Sequence, residues 1–457
     1  MTEPIFIDAL GPRGPYRSRN RQTVTDVAGN PMVELTLVPE LYVTRAMSAM
    51  HKAKTLPLEE RLTALAKGGE LFATGVVDGM SAADYQYMVS RMSGTPLPIV
   101  RRAAEGISRH AAEAYRSAQQ ARPIGAVNDW RDPRARHGTA AWVRRGDVFA
   151  VHAAGNHPGV HTLWMEALTL GYRVAVRPSR REPLTPYRLV SALRACGFGD
   201  DQIVMLPTDY AAADEILRQA DLSMVYGGQD VIEKYAADPT VLPNGPGRSK
   251  ILITADSDWR VYLDMIVASI SHEGGTACVN TTAVFVEGDP TPVAEAIAER
   301  LSTIPSLSPE DDKAVLTAYS LDAAKKMESY LLEKAQGTKA LLGGHGVVDE
   351  LGDGSAVLRP AVHLVDSPFA EQVNIELAFP CVWVAPWTRE AGTDIFHETL
   401  VLTAVTKDEH LLDELLEDPT IRNLYIGNHP TYWMAPGVPH DAFLGEFLMR
   451  TKAVIRD

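Results

Sequence analysis

The chain has 457 residues, 46% of them hydrophobic and 22% charged, too many for one ordinary core and normal for a globular protein of two or three domains. A formal net charge of −14 argues against nucleic acid or an acidic membrane surface as a main partner. Apolar runs stop well short of the roughly 18 residues of a membrane span. Cys196, Cys278 and Cys381 are dispersed behind an opening, MTEPIFIDAL, with no secretory pattern, so reduced thiols and a cytoplasmic protein are expected.

In chain order, the first forty residues are rich in Gly, Pro and Arg and read as an arm or irregular cap. From Pro39 to about Gln119, apolar residues recur at three-to-four spacing in successive helices punctuated by Pro and Gly. Residues 125–145 read as an extended hairpin leaving the globule. Strand and helix then alternate: DVFAVH, a helix from HPGVHTLW, YRVAVRPS, a helix from TPYRLV, DQIVMLP, a helix from DYAAAD, and LSMVY. Such alternation predicts a doubly wound parallel sheet with right-handed crossovers. A second α/β stretch runs from SKILITAD, with strands TTAVFVEG and CVWVAPW, and FLMRTKAVIRD ends the chain in an edge strand. Neither GxGxxG nor GxxxxGK[ST] is present, so a dinucleotide would be held without the usual glycine fingerprint.

SHEGGTACVNTT, residues 271–282, sets Cys278 on a glycine-softened turn entering an apolar strand. Most buried cysteines are small hydrophobes. Glycines beside one let backbone approach a ligand closely, as a reactive sulfur requires. His152, His157 and His161 bracket a second loop, without a complete metal-ligand set; no metal is expected. The loop GNHPTYWMAPGVPHD, residues 427–441, carries aromatic and His side chains suited to a substrate mouth or a subunit contact.

Four stretches, AAGNHPGVH, VAVRPSRREPLT, NGPGRSKILI and GGTACVNTT, in that order, together resemble the aldehyde dehydrogenase superfamily over most of the chain. The resemblance implies a doubly wound cofactor domain (1–124 and 146–250), an α/β catalytic domain (251–438) and a β oligomerisation arm (125–145 and 439–457). It implies Cys278 as nucleophile, with the Asn156 side-chain amide and the Cys278 backbone N–H as oxyanion donors. Arg177, Ser179, Arg180, Gly227, Gly228 and Glu376 fall where that family holds a nicotinamide dinucleotide. A homodimer or homotetramer is expected from the arm.

The departures carry information too. Asn244 stands 34 residues before Cys278, where hydrolytic members place a Glu that activates water; an amide has no basic electron pair for that work. Asn244-Gly245-Pro246-Gly247 is instead similar to the CoA-acylating members. The resemblance therefore implies interconversion of an aldehyde and an acyl thioester, on CoA or a carrier protein, through a thioester on Cys278. Two alternatives stay open: hydrolytic oxidation to an acid, with Glu273 as the nearest replacement base, and a non-redox acyl-thioester hydrolase, transferase or silent binding protein. Arg180 and Arg181, where a Glu would repel a 2′-phosphate, favour NADP(H) over NAD(H). Ile232 replaces a glycine of the pyrophosphate turn, and Phe379 a glycine after Glu376.

Overall fold

The computed structural model describes residues 4–457. Four helices, Glu40–Lys52, Leu58–Thr74, Ala82–Ser93 and Leu97–Gln119, fill the predicted helical stretch. The longest buries Ile99, Val100, Ala103, Ala104, Ile107, Ala111 and Ala114, a single apolar stripe that packs chiefly against the helices Leu58–Thr74 and Trp164–Thr169.

That sheet has seven strands. Val241–Asn244, Leu222–Tyr226, Val148–His152, Arg173–Arg177 and Ile203–Met205 lie side by side in parallel. Ala9–Gly11 and Gly14–Tyr16 extend it in antiparallel fashion. Val148–His152 is buried throughout because helices cover both faces, which is why its apolar run does not alternate. The second sheet orders Lys339–Leu342, Ala361–Leu364, Cys381–Trp387, Thr281–Glu287, Ser249–Ile253, Thr399–Val405 and Ile421–Ile426, parallel except at its first pair. The α/β class and the parallel sheets are as expected.

Three expectations change. Residues 5–36 form short strands: Ile5–Ile7 and Arg21–Thr25 flank Pro31–Thr36 in a small sheet, beside the two strands that extend the first sheet. Strands of three to six residues rich in Gly and Pro are too short to show a period of two. Residues 125–145 form no hairpin of their own; a 3-10 turn, Pro133–His137, precedes the strand Thr139–Arg144, which pairs with the terminal strand Met449–Val454. Nor is 439–457 arm alone, since the helix Leu444–Leu448 packs Leu444 and Leu448 into the first core beside Phe149 and Leu168. Among the described residues no helix is long and apolar enough to cross a membrane.

Candidate active site

Three segments converge where the two sheets meet. The strand Val148–His152 runs out into Asn156 and His157. Residues 272–280 lead into Thr281–Glu287. Residues 245–248 join the last strand of the first sheet to the second sheet. Ligands of open parallel sheets bind at such carboxyl-end crevices.

The cysteine loop is built on strained backbone. Glu273, Gly274 and Gly275 take φ of 48°, 72° and 72°, a region glycine enters without steric cost. A Cβ on Gly275 would lie 2.5 Å from the Phe379 carbonyl carbon, and one on Gly274 would lie 2.7 Å from Thr317 Oγ1. These glycines therefore admit close approach of protein, not of ligand as the sequence suggested. Phe379, 2% exposed, closes down on them from the second sheet's core. Asn280 ties the loop internally: its Oδ1 accepts from Ala277 N at 2.8 Å and its Nδ2 donates to the His272 carbonyl at 2.9 Å. Sequence reading missed Asn280, whose type alone reads as a turn residue.

Cys278 sits half-buried at the end of this loop. Burial first, then the carboxylates of Glu376 and Asp441, pushes its thiol up to about 12, against the pull of the Cys278 and Val279 backbone N–H groups. The resting sulfur is thus protonated and needs a base to become a nucleophile. Asn156 Nδ2 donates to the Thr276 carbonyl at 3.2 Å, which brings its carboxamide to the cysteine loop. An amide nitrogen carries two hydrogens, so this bond fixes the side chain's orientation and leaves one donor for a reacting oxygen.

Glu273 is occupied elsewhere. Its Oε2 lies 2.7 Å from His157 Nε2 and its Oε1 lies 3.8 Å from His272 Nε2. His157 Nδ1 accepts from Gly159 N at 3.0 Å, which puts the ring proton on Nε2, facing the carboxylate. Burial alone would raise the Glu273 carboxyl, yet the bond to His157 and the charges of His157, His272 and Arg102 hold it below its ordinary value. His152 is buried in its strand, and His161 Nδ1 accepts from Trp164 Nε1 at 3.1 Å, so the three histidines scatter to separate partners.

The group that reaches the sulfur is His440, with Nε2 3.6 Å from Cys278 Sγ. Sequence reading marked the surrounding loop as a substrate mouth but did not single out this residue. A separation of 162 positions leaves no local signal.

Asn244 ends its strand with its carbonyl accepting from Gly227 N at 3.0 Å, while its buried Nδ2 has no partner among the described residues. The glycines after it have packing roles. A Cβ on Gly247 would overlap the Cys278 carbonyl, and one on Gly245 would fall 2.7 Å from Ile232 Cγ1. The two glycines of the Gly-Pro-Gly run are thus explained by close contact, Gly247 with the Cys278 backbone and Gly245 with the Ile232 side chain. Gly247→Ala is expected to push that backbone aside, destabilising the fold by about 1–3 kcal/mol and lowering kcat by ~10-fold, since 1 Å of misplacement costs ~10²-fold. Thermal unfolding and initial rates measure both.

At the cofactor end, Arg177 Nε donates to Thr208 Oγ1 at 2.8 Å, so the scaffold holds this guanidinium. Ser179 Oγ accepts from Arg181 N at 3.2 Å, and the exposed Arg181 donates through Nη2 to the Ser93 carbonyl at 2.8 Å. Arg180 lies over Tyr210, 4.3 Å from its ring centroid, and that ring is 75% exposed. The two neighbouring guanidiniums therefore diverge: the more exposed Arg181 donates to Ser93, while half-buried Arg180 stacks on Tyr210. Gly227 packs on Val231, and Gly228 caps the helix Gln229–Tyr235 with no side-chain acceptor. Glu376 accepts from Arg248 N at 2.8 Å, and burial raises its carboxyl. Beneath it, fully buried Lys250 donates to Thr399 Oγ1 at 2.6 Å, and burial brings its ammonium down to about 7. A half-buried guanidinium stacked on an open aromatic ring, with a hydroxyl nearby, suits the adenosine end of a dinucleotide, so the residues present fit one.

Comparison with known proteins agrees with this architecture. The chain resembles the solved structure of aldehyde dehydrogenase 21 from Physcomitrella patens in complex with the reaction product succinate. Identity is 16%, coverage 99% of this chain and 98% of that one, and the TM-score 0.82. It also resembles KauB of Pseudomonas aeruginosa, at 15% identity, 98% and 96% coverage and a TM-score of 0.83. The indole-3-acetaldehyde dehydrogenase AldA of P. syringae, solved with NAD+ and IAA, matches at 16% identity, 98% and 96% coverage and a TM-score of 0.82. At such identities these likenesses show the fold. By sequence, 2-hydroxymuconic semialdehyde dehydrogenase of Pseudomonas sp. (strain CF600) is 24% identical over 265 residues, 53% of each chain, so this chain spans about half the length of that relative. The model of the aldehyde dehydrogenase family matches residues 40–392, a span that takes in both sheets' central strands, Asn156 and Cys278, and on that match the chain belongs to the aldehyde dehydrogenase family.

Proposed function

We propose that this protein oxidises an aldehyde with NAD(P)+ through a covalent intermediate on Cys278 and releases the acyl group to water as a carboxylic acid. The observation that carries the reading is the Asn156 carboxamide anchored on the loop of Cys278. A thiolate needs an electrophilic carbon beside it and a donor where that carbon's oxygen becomes negative. Sulfur adds to the carbonyl carbon, and the C=O electron pair moves onto oxygen, where the second Asn156 hydrogen receives it. When bound, the nicotinamide supplies the hydride acceptor that turns this adduct into a thioester. Water then attacks the thioester, the C–S bond breaks, and the sulfur leaves as thiolate.

Water is favoured as acceptor by the names of the relatives, one of them solved with a carboxylate described as its reaction product. The Gly-Pro-Gly run that favours a thiol acceptor has a packing explanation. Transfer to CoA or a carrier-protein thiol remains a second reading, supported by Asn244, which has no basic pair in the place of the family's Glu. For the cofactor, Arg180, stacked on the exposed Tyr210 ring, supports NADP+ as the better substrate, through a charge-assisted bond to the 2′-phosphate. In the ribbon formed by Thr139–Arg144 and Met449–Val454, Val127 covers part of the first strand's outer edge, and the open edge of the second suits pairing with another subunit.

One experiment tests the reading: product analysis with a panel of aldehydes, NAD+ or NADP+, with and without CoA. Free acid formed at the same rate without thiol, and a higher kcat/KM for NADP+, are expected. Acid formation that depends on CoA would replace the hydrolytic reading with the acylating one.

A further inference from the structure

We propose that His440 is the general base of this site, taking the proton first from the Cys278 thiol and later from the water that releases the acid. The inference rests on the hydrolytic reading above and assigns the role that neither Asn244 nor Glu273 can fill. Its Nε2 lies 3.6 Å from Cys278 Sγ, within the reach of a hydrogen bond to the larger sulfur atom.

The imidazole is held there by design of the surrounding backbone. Asn423, on the strand Ile421–Ile426, donates through Nδ2 to the Leu400 carbonyl at 2.9 Å and also to the His440 carbonyl. That strand pairs with Thr399–Val405, and Leu400 N donates to the Gly247 carbonyl at 2.8 Å. His440, the strand end and the Gly247 segment pressed against Cys278 are thus tied into one framework. Three prolines, Pro430, Pro436 and Pro439, stiffen the loop that delivers the ring.

Burial lowers the His440 imidazole, and Asp441 works against that fall, so the ring is neutral at physiological pH and has a lone pair to offer. The groups facing the pair are Glu376 and Asp441, both of which raise the thiol, and the half-buried Tyr226, whose own hydroxyl feels Cys278. Negative neighbours oppose a lone thiolate but favour an imidazolium beside it, so proton transfer within the pair creates the nucleophile without net charge.

The protons balance. Nε2 takes the thiol proton, and the thiolate adds to the aldehyde carbon. After hydride departs to NAD(P)+, the imidazolium gives its proton to solvent. Neutral Nε2 then takes a proton from water as the water oxygen bonds the acyl carbon. The tetrahedral adduct collapses, the C–S bond breaks, and the thiolate regains its proton from the imidazolium. Acid, NAD(P)H and protons leave.

The test reads the pair without substrate or cofactor, so its failure is distinct from failure of the hydrolytic reading. The rate of Cys278 alkylation by iodoacetamide is followed from pH 6 to 10, with mass spectrometry separating Cys278 from Cys196 and Cys381. In the wild-type protein the rate is expected to rise and level near neutral pH. In His440→Gln it is expected to fall at least ~10-fold at pH 7 and to climb steadily toward pH 10. Steady-state turnover of the variant should fall ~30-fold and recover in part at high pH, within the ~10²–10⁴ span of general-base catalysis. A variant alkylation profile that matches the wild type overturns the proposal. If His440→Gln does not fold, the wild-type profile decides alone: a single inflection above pH 9 overturns it.

Discussion

Cys278→Ala should eliminate aldehyde-dependent NAD(P)H formation, lowering kcat by ~10⁴-fold or more, the scale seen when a covalent nucleophile is removed. No other sulfur can take over. Cys196 caps the helix Leu184–Ala195, and Cys381 is buried at the start of its strand, where burial alone raises its thiol. The fold should tolerate the change, because the thiol is half-buried and the loop is held by Asn280 and by Ser249 Oγ, which donates to the Cys278 carbonyl at 3.2 Å. Cofactor affinity, followed by NADPH fluorescence, should stay within a few-fold of wild type, since the proposed cofactor contacts Arg180, Ser179 and Glu376 are untouched. Cys278→Ser should be nearly as inactive: a hydroxyl buried beside Glu376 and Asp441 is far harder to ionise than a thiol. Turnover of the alanine variant within ten-fold of wild type would remove the covalent route altogether.

Much of this site was legible in the chain because its parts are local. Asn156 follows a short apolar strand, Cys278 precedes another, and each carries its loop glycines within a few positions. The strand–helix alternation from 148 to 226 gave the first sheet because strands buried on both faces leave continuous apolar runs. What the sequence did not yield is long-range. Arg181 looks like a second phosphate ligand beside Arg180, but its guanidinium donates to the Ser93 carbonyl, 88 positions earlier. Glu273 looks like a base near the cysteine, but its backbone at φ 48° turns the carboxylate to His157. His440 is invisible as a partner of Cys278 because only the second sheet's edge, through Asn423, brings it there. The glycines at 247 and 275 were read as chemistry and prove to be sites where one backbone lies against another, while Gly245 makes room for the Ile232 side chain.

Asn156→Ala should lower kcat by ~10²–10³-fold, with the aldehyde KM and cofactor affinity changed only a few-fold, as expected for a donor that acts mainly on developing charge. Its contact with the Thr276 carbonyl at 3.2 Å is a single, solvent-exposed hydrogen bond, contributing about 1 kcal/mol at most. Loss of stability therefore cannot account for a rate loss of that size. Asn156→Asp separates shape from charge. The carboxylate fills the same space, but it has no hydrogen to donate, repels the Thr276 carbonyl and opposes the oxyanion. It should be slower than the alanine variant at pH 7 even though it is the closer isostere. Single-turnover hydride transfer from a pre-bound aldehyde reads this step directly. Equal rates for Asn156→Asp and wild type would mean that the oxygen's charge is met elsewhere, leaving the Cys278 and Val279 backbone N–H groups as the donors that remain.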